Sequence, residues 1–250
     1  MLSIVLLGTG NVAHHLFNAF QTSDTANVIQ VYGRTPKKLE HFSTNCATTM
    51  TIQGLLEADL YLIAVSDNAI ASISASLRSK KGIVAHTSGS VAMALISSER
   101  KAVFYPLQTF TKGKKTDFAH IPICIEASVQ NDLEILKALG ESISASVHQI
   151  SSLQRRKLHL AAVLVNNFTN HLYGIADDIC ETEALSFNLL KPLIIETAEK
   201  IMELTPKEAQ TGPARRNDIE TMQQHLELLD KPIQKKIYQL LSESIKASYD

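Results

Sequence analysis

Gly8-Thr9-Gly10-Asn11-Val12-Ala13 follows the apolar run Leu2–Leu7 directly and opens a stretch, Asn11–Gln21, that carries Val12, Leu16, Ala19 and Phe20 on one helical side. A strand, a glycine turn and a helix in that order suit a dinucleotide's phosphates. The first glycine permits a tight turn, and the second lets a pyrophosphate approach the backbone. A small third residue, here Ala13, lets the helix pack closely on the strand. The start of the helix offers unpaired N–H groups to phosphate oxygens. Gly8, Thr9, Gly10, Asn11 and Val12 are therefore candidate cofactor-binding residues. A structural glycine turn in some other α/β protein is the competing reading, and the strand–turn–helix context weighs against it.

The same alternation continues outward. Val28–Tyr32, Leu60–Val65, Ile83–His86 and Ala102–Tyr105 read as buried strands, with helices over Pro36–Phe42 and Ala69–Leu77 between them. Apolar strands separated by helices predict an α/β fold, a Rossmann-like doubly wound parallel sheet. Ile121–Ile125, a helix around Leu133–Leu139, and Val147–Ile150 add one more unit to that sheet. The pattern then changes. Ser151 and Gln154 form a capping-box signature. Leu160, Leu164, Phe168, Leu172, Ile175 and Ile179 recur at helical period, and Leu189–Leu204, Asp218–Leu229 and Ile233–Ile245 also read as helices. The expected organisation is a dinucleotide-binding domain over 1–150 and an all-α substrate and dimerisation domain over 151–250, with no Pro/Gly/Ser-rich linker between them.

Composition narrows the function. The 250 residues carry a formal net charge of −1, which lacks the field that nucleic-acid binders use to attract phosphate. Three cysteines at wide spacing, Cys46, Cys124 and Cys180, make neither a disulfide framework nor a zinc knuckle, and no metal is expected. No apolar stretch approaches the roughly 18–20 residues that span a bilayer. The apolar start lacks a basic leader and a cleavage site, so no signal peptide and a cytoplasmic location are expected.

Other candidates lie where strands end. The second strand runs into Gly33-Arg34-Thr35, with no acidic residue to take ribose hydroxyls. A guanidinium beside a hydroxyl suits the 2′-phosphate of NADP, so Arg34 and Thr35 are assigned to it; an exposed loop arginine is the plain alternative. Val65, Ser66 and Asp67 at one strand exit, and His86 and Ser88 at the next, fall where ligands bind in open α/β sheets. His86 reads equally as a strand-end histidine satisfied by backbone. Histidine is the side chain suited to give or take a proton near neutral pH, and His159 heads a polar stripe with Asn166, Asn167 and Asn170 on an otherwise apolar helix. Tyr105 ends a strand and is placed to hydrogen-bond a carbonyl. For both, packing alone is the competing account.

The turn Gly8–Ala13, Gly33-Arg34-Thr35, and Leu62-Ile63-Ala64-Val65-Ser66-Asp67 resemble the superfamily of pyrroline-5-carboxylate reductase, prephenate dehydrogenase, ketopantoate reductase and the β-hydroxyacid dehydrogenases. His86-Thr87-Ser88-Gly89, Tyr105–Phe110, His159–Asn167 and Thr211–Asp218 narrow the resemblance to an uncharacterised family of NADP-dependent oxidoreductases with a Rossmann-like domain and a helical C-terminal domain. The resemblance covers nearly the whole chain. It implies NADP as cofactor, a small-molecule substrate and a homodimer, with Arg215 and Arg216 near a substrate carboxylate. Two departures stand out. The β-hydroxyacid enzymes carry a catalytic lysine where this chain has Val163, although the following Asn166-Asn167 pair is present. Asn217 replaces a glycine, a change that a positive φ would tolerate.

The expectation is an NADP-dependent oxidoreductase that transfers a hydride between NADP(H) and a small carbonyl, imine or hydroxy acid. His159, Asn167, Tyr105 and Arg216 are its catalytic candidates. The alternative is an NADP-binding redox sensor or partner-binding protein without turnover, which the missing lysine favours. A third reading passes the hydride to or from a deazaflavin.

Overall fold

In the computed structural model, which describes residues 1–249, strands β1 (Leu2–Leu7), β2 (Ala26–Tyr32), β3 (Ala47–Thr49), β4 (Leu60–Ile63), β5 (Ile83–His86), β6 (Lys101–Pro106), β7 (Ile123–Ala127) and β8 (Val147–Gln149) form one sheet. The strand order is β3-β2-β1-β4-β5-β6-β7-β8. The first six are parallel and follow the 3-2-1-4-5-6 order of a doubly wound dinucleotide fold. β7 runs antiparallel to β6, and β8 lies parallel to β7. The expected Rossmann-like parallel sheet is therefore present, extended by a reversed pair at one edge.

Helices α1 (Asn11–Phe20), α2 (Pro36–Ser43), α3 (Asp67–Ser76) and α4 (Gln130–Glu141) cover the sheet. Two apolar layers result, because the central strands are buried on both faces and their side chains alternate between them. Ile4, Leu6, Leu60 and Leu62 pack with Leu16 and Phe17 of α1 on one side. Val5, Leu7, Tyr61 and Ile63 pack with Ile70 of α3 on the other.

Helix α5 (Ser152–Ala162) begins at the expected capping box: the Ser151 hydroxyl accepts from the Gln154 N–H, and the Gln154 side chain accepts from the Ser151 N–H. A π-helical turn, Val163–Phe168, follows, and then α6 (Thr169–Thr182), α7 (Lys191–Glu203), α8 (Pro206–Ala209), α9 (Ile219–Leu228) and α10 (Pro232–Ala247). The chain divides into two compact units, Met1–Asn167 and Phe168–Asp250. Of the described residues in the second unit, only Ala214 and Gln234 are buried. Leu189, Met202, Leu228 and Leu240 are each at least two-thirds exposed. Asn217 takes φ +55°, the conformation that asparagine tolerates in place of glycine.

Candidate functional site

The site grows from the point where the strand order reverses between β1 and β4. Gly8 has φ +136° there, and a Cβ on it would lie 2.1 Å from the Ala64 carbonyl oxygen. Only glycine lets the turn lie this close to the neighbouring strand exit. At Gly10, by contrast, a Cβ would meet nothing within 4 Å, so the turn is open on the side where a ligand would approach. Gly10 also starts α1 with no side-chain cap, and no acidic residue stands in the first turn. The helix N–H groups thus remain available to an anion.

From this turn a cavity of about 1000 Å³ extends across the carboxyl ends of the strands, within the first unit. A volume at the upper end of the ligand-pocket range suits an extended cofactor together with a small substrate. Gly8 to Val12 line it, with Arg34 after β2, Val65 and Ser66 after β4, Tyr105 at the end of β6, His159 from α5 and Asn167 from the π-turn that follows it. Of the twelve cofactor-binding residues that the sequence predicts, eight line the cavity: Gly8 to Val12, Arg34, Val65 and Ser66. Thr35, Asp67, His86 and Ser88 are not in the lining. The polar groups of three of these are engaged within the loops. The His86 Nδ1 accepts from the Ser88 N–H at 3.1 Å, the Ser88 hydroxyl accepts from the Ser90 and Val91 N–H groups at 3.1 Å each, and Ser90 donates to Asp67. Thr87, between His86 and Ser88, does line the cavity. Arg216 belongs to the second unit and is not in the lining, and the Arg215 guanidinium lies 4.0 Å from the centre of the Tyr249 ring.

The sequence reading missed Lys38, which lines the cavity with Arg34. Its signal was its place in the first turn of α2, four residues after Arg34. Arg34 and Lys38 together put two cations at that part of the lining. The residues present therefore fit a dinucleotide that carries an extra phosphate.

Tyr105 and His159 meet elsewhere in the lining. The tyrosine hydroxyl and His159 Nδ1 are 3.2 Å apart, a pairing across 54 positions of sequence. The pair has room only because residue 89 lacks a side chain. A Cβ on Gly89 would lie 2.7 Å from His159 Nδ1 and 2.8 Å from the Tyr105 ring. Burial pushes the Tyr105 phenol up to about 12, with Cys124 adding to the effect and Arg155 opposing it. Tyr105 is thus a neutral phenol with a proton to give. His86, fully buried, is pushed down to about 4, by burial first and then by the positive Arg155; Asp67, Glu126 and the Ala92 backbone oppose the shift. Its Nε2 has no hydrogen-bond partner among the described residues.

The π-turn explains why both asparagines reach the cavity. In an α-helix, neighbours point about 100° apart, which favours one of Asn166 and Asn167 over the other. A turn closed by i→i+5 bonds is wider and turns less per residue. Asn166 and Asn167 both line the cavity, as does Val163.

Comparisons with known proteins fit this geometry. A family model described as a domain of unknown function (DUF2520) matches residues 121–245, half of the chain. Another, described as NADP oxidoreductase coenzyme F420-dependent, matches residues 3–89. A solved structure from Bacteroides fragilis, described as a "putative NADP oxidoreductase", is 38% identical over 98% of both chains, with a TM-score of 0.90. The chain belongs to this NADP oxidoreductase family. The family's cofactor is NADP, as the sequence predicts. More distant structures share the fold. An imine reductase from Myxococcus stipitatus in complex with NADP+ is 14% identical over 98% of this chain and 92% of its own, with a TM-score of 0.63. A pyrroline-5-carboxylate reductase from Coxiella burnetii is 17% identical over 99% and 97%, with a TM-score of 0.59. No curated protein matches. Among the described residues of this NADP oxidoreductase family member, no helix is long and apolar enough to cross a membrane, and no group of three or more His, Cys, Asp or Glu is arranged to hold a metal.

Proposed function

We propose that the chain transfers a hydride between NADP(H) and a small carbonyl, imine or hydroxy-acid substrate. One observation carries this reading: a single cavity is lined both by the phosphate turn and by the Tyr105–His159 pair. Gly8, Thr9, Gly10, Asn11 and Val12 would hold the pyrophosphate. Arg34, with Lys38, would take the 2′-phosphate through charge-assisted hydrogen bonds. Val65, Ser66 and Thr87 would form the wall at the strand exits, backed by Asp67, His86 and Ser88. NADPH, when bound, supplies the hydride. The chain's own residues manage the proton. Reduction of a C=O or C=N bond puts a hydride on carbon and a proton on oxygen or nitrogen. Tyr105 would donate that proton and recover one through His159, whose two ring nitrogens form a path for it. Asn167 would orient the substrate by hydrogen bonding.

The test is loss of NADPH absorbance with a panel of 2-oxo acids, cyclic imines and coenzyme F420. The last is included because the model matching residues 3–89 names it. Oxidation by one member, abolished in a His159→Ala variant that still binds NADPH, is the expected result. Val163 favours a second reading. It lines the cavity where the β-hydroxyacid enzymes carry a lysine, and a valine cannot protonate a carbonyl. A redox sensor without turnover would bind NADPH tightly and oxidise it with no panel member.

The same reading includes a homodimer. The second unit's described residues bury almost nothing, although α6, α7, α9 and α10 carry apolar stripes. A helix with an apolar stripe must cover it against another element. A second copy of this chain, presenting the same stripes, is the occupant that self-complementary packing supplies.

A further inference from the structure

Arg155 is among the largest fully buried side chains of the described residues, at 1% exposure. A buried charge is a costly way to stabilise a fold, because its desolvation commonly offsets the ion-pair attraction. Its contacts suggest another role. The guanidinium donates to the Glu126 carboxylate on β7 and, at 2.6 Å, to the Val91 carbonyl in the loop after β5. It also donates to the Ser152 hydroxyl at 3.2 Å. Ser152 in turn donates to Glu126 at 2.8 Å and accepts from the Met93 N–H at 3.0 Å. Arg155 and Ser152, bonded to each other on α5, therefore gather β7 and both ends of the Val91–Met93 segment. Gly89, against which His159 and Tyr105 are seated, lies two residues before that segment. His159 lies four residues after Arg155, on the same face of α5.

We propose that Arg155 is a positioning residue that seats His159 against Tyr105 by tying the loop after β5 and strand β7 to α5. The proposal rests on the reading of Tyr105 and His159 as the proton-handling pair. The positive charge of Arg155 also acts on Tyr105, Cys124 and His86. Its Nε has no hydrogen-bond partner among the described residues, among which the terminal nitrogens hold the guanidinium.

The test needs no substrate. The His159 Nδ1 resonance is followed in protein labelled with 15N-histidine and assigned by its loss in His159→Gln. In the wild type, Tyr105→Phe shifts this resonance because the hydroxyl partner is gone. In Arg155→Met, the expected result is that Tyr105→Phe shifts it no further, the signature of a contact already lost. Arg155→Lys keeps the charge without the planar fork and is expected to behave the same way. The paired change Arg155→Met/Glu126→Gln avoids leaving a carboxylate stranded and gives a third background. If Tyr105→Phe produces its full shift in any of these folded backgrounds, Arg155 does not position the pair and the proposal is overturned. If Tyr105→Phe leaves the wild-type resonance unmoved, the Tyr105–His159 reading itself fails, and the proposal falls with it.

Discussion

Arg34 shows how much one side chain can decide. It is exposed, it lines the cavity, and it stands where an acidic residue would favour NAD. NADPH is expected to bind about tenfold or more tighter than NADH, a difference of about 1.4 kcal/mol, and Arg34→Ala should remove most of it. Fluorescence titration of both nucleotides checks this, and equal affinities in the wild type would refute it. Lys38 should retain a residual preference. His86 makes a different prediction. The unfolded chain takes up a proton on this ring near 6.5, and the folded protein does so only near 4. Between those values the unfolded state binds more protons, so stability is full above about pH 6.5 and falls as pH drops toward 4. The loss attributable to this ring is roughly 3 kcal/mol. His86→Asn keeps an acceptor for the Ser88 N–H and cannot take up the proton. Its urea midpoint should therefore fall less steeply across that window than the wild type's.

At the scale of elements, legibility followed burial. The parallel strands were readable because both faces are covered, which leaves continuous apolar runs such as Leu60–Ile63. β3 was not anticipated: it has only three residues at the sheet edge, none of them buried, and so shows no apolar run. The reversal of β7 was invisible because direction is set by the path of the preceding loop and not by the composition of the strand. The π-turn was equally hidden, since Val163–Phe168 keeps the apolar spacing of an ordinary helix. Tyr105 and His159 were each picked out by residue type and position, but their contact required the fold. Arg155 was not singled out: it stands in the basic stretch Arg155-Arg156-Lys157, and nothing in its neighbours signals burial. The start of α5 was legible because a capping box is local chemistry. Ser151→Ala should cost about 0.5–2 kcal/mol, measured by urea unfolding, and should loosen the helix that carries both Arg155 and His159.

For the molecule as a whole, the two units differ in what holds them together. The first is built on apolar layers either side of the sheet. The second has helices whose apolar side chains face outward. If a second copy covers them, stability depends on protein concentration by mass action. The melting temperature should rise with concentration, and light scattering should give twice the chain mass. A monomer at tens of micromolar, with a melting temperature independent of dilution, would remove the homodimer from the reading.

That contrast also bears on biogenesis. The sheet precedes the helices in the chain, and domains generally fold as units as they are synthesised. The nucleotide-binding half can thus complete its core while the helical half is still emerging. If a second copy covers the helices, they wait with apolar faces open until it arrives, and in that interval they are exposed to chaperones and to self-association. In that case the yield of folded protein should depend on expression rate as well as on the stability of the folded form, which expression at two induction levels would show.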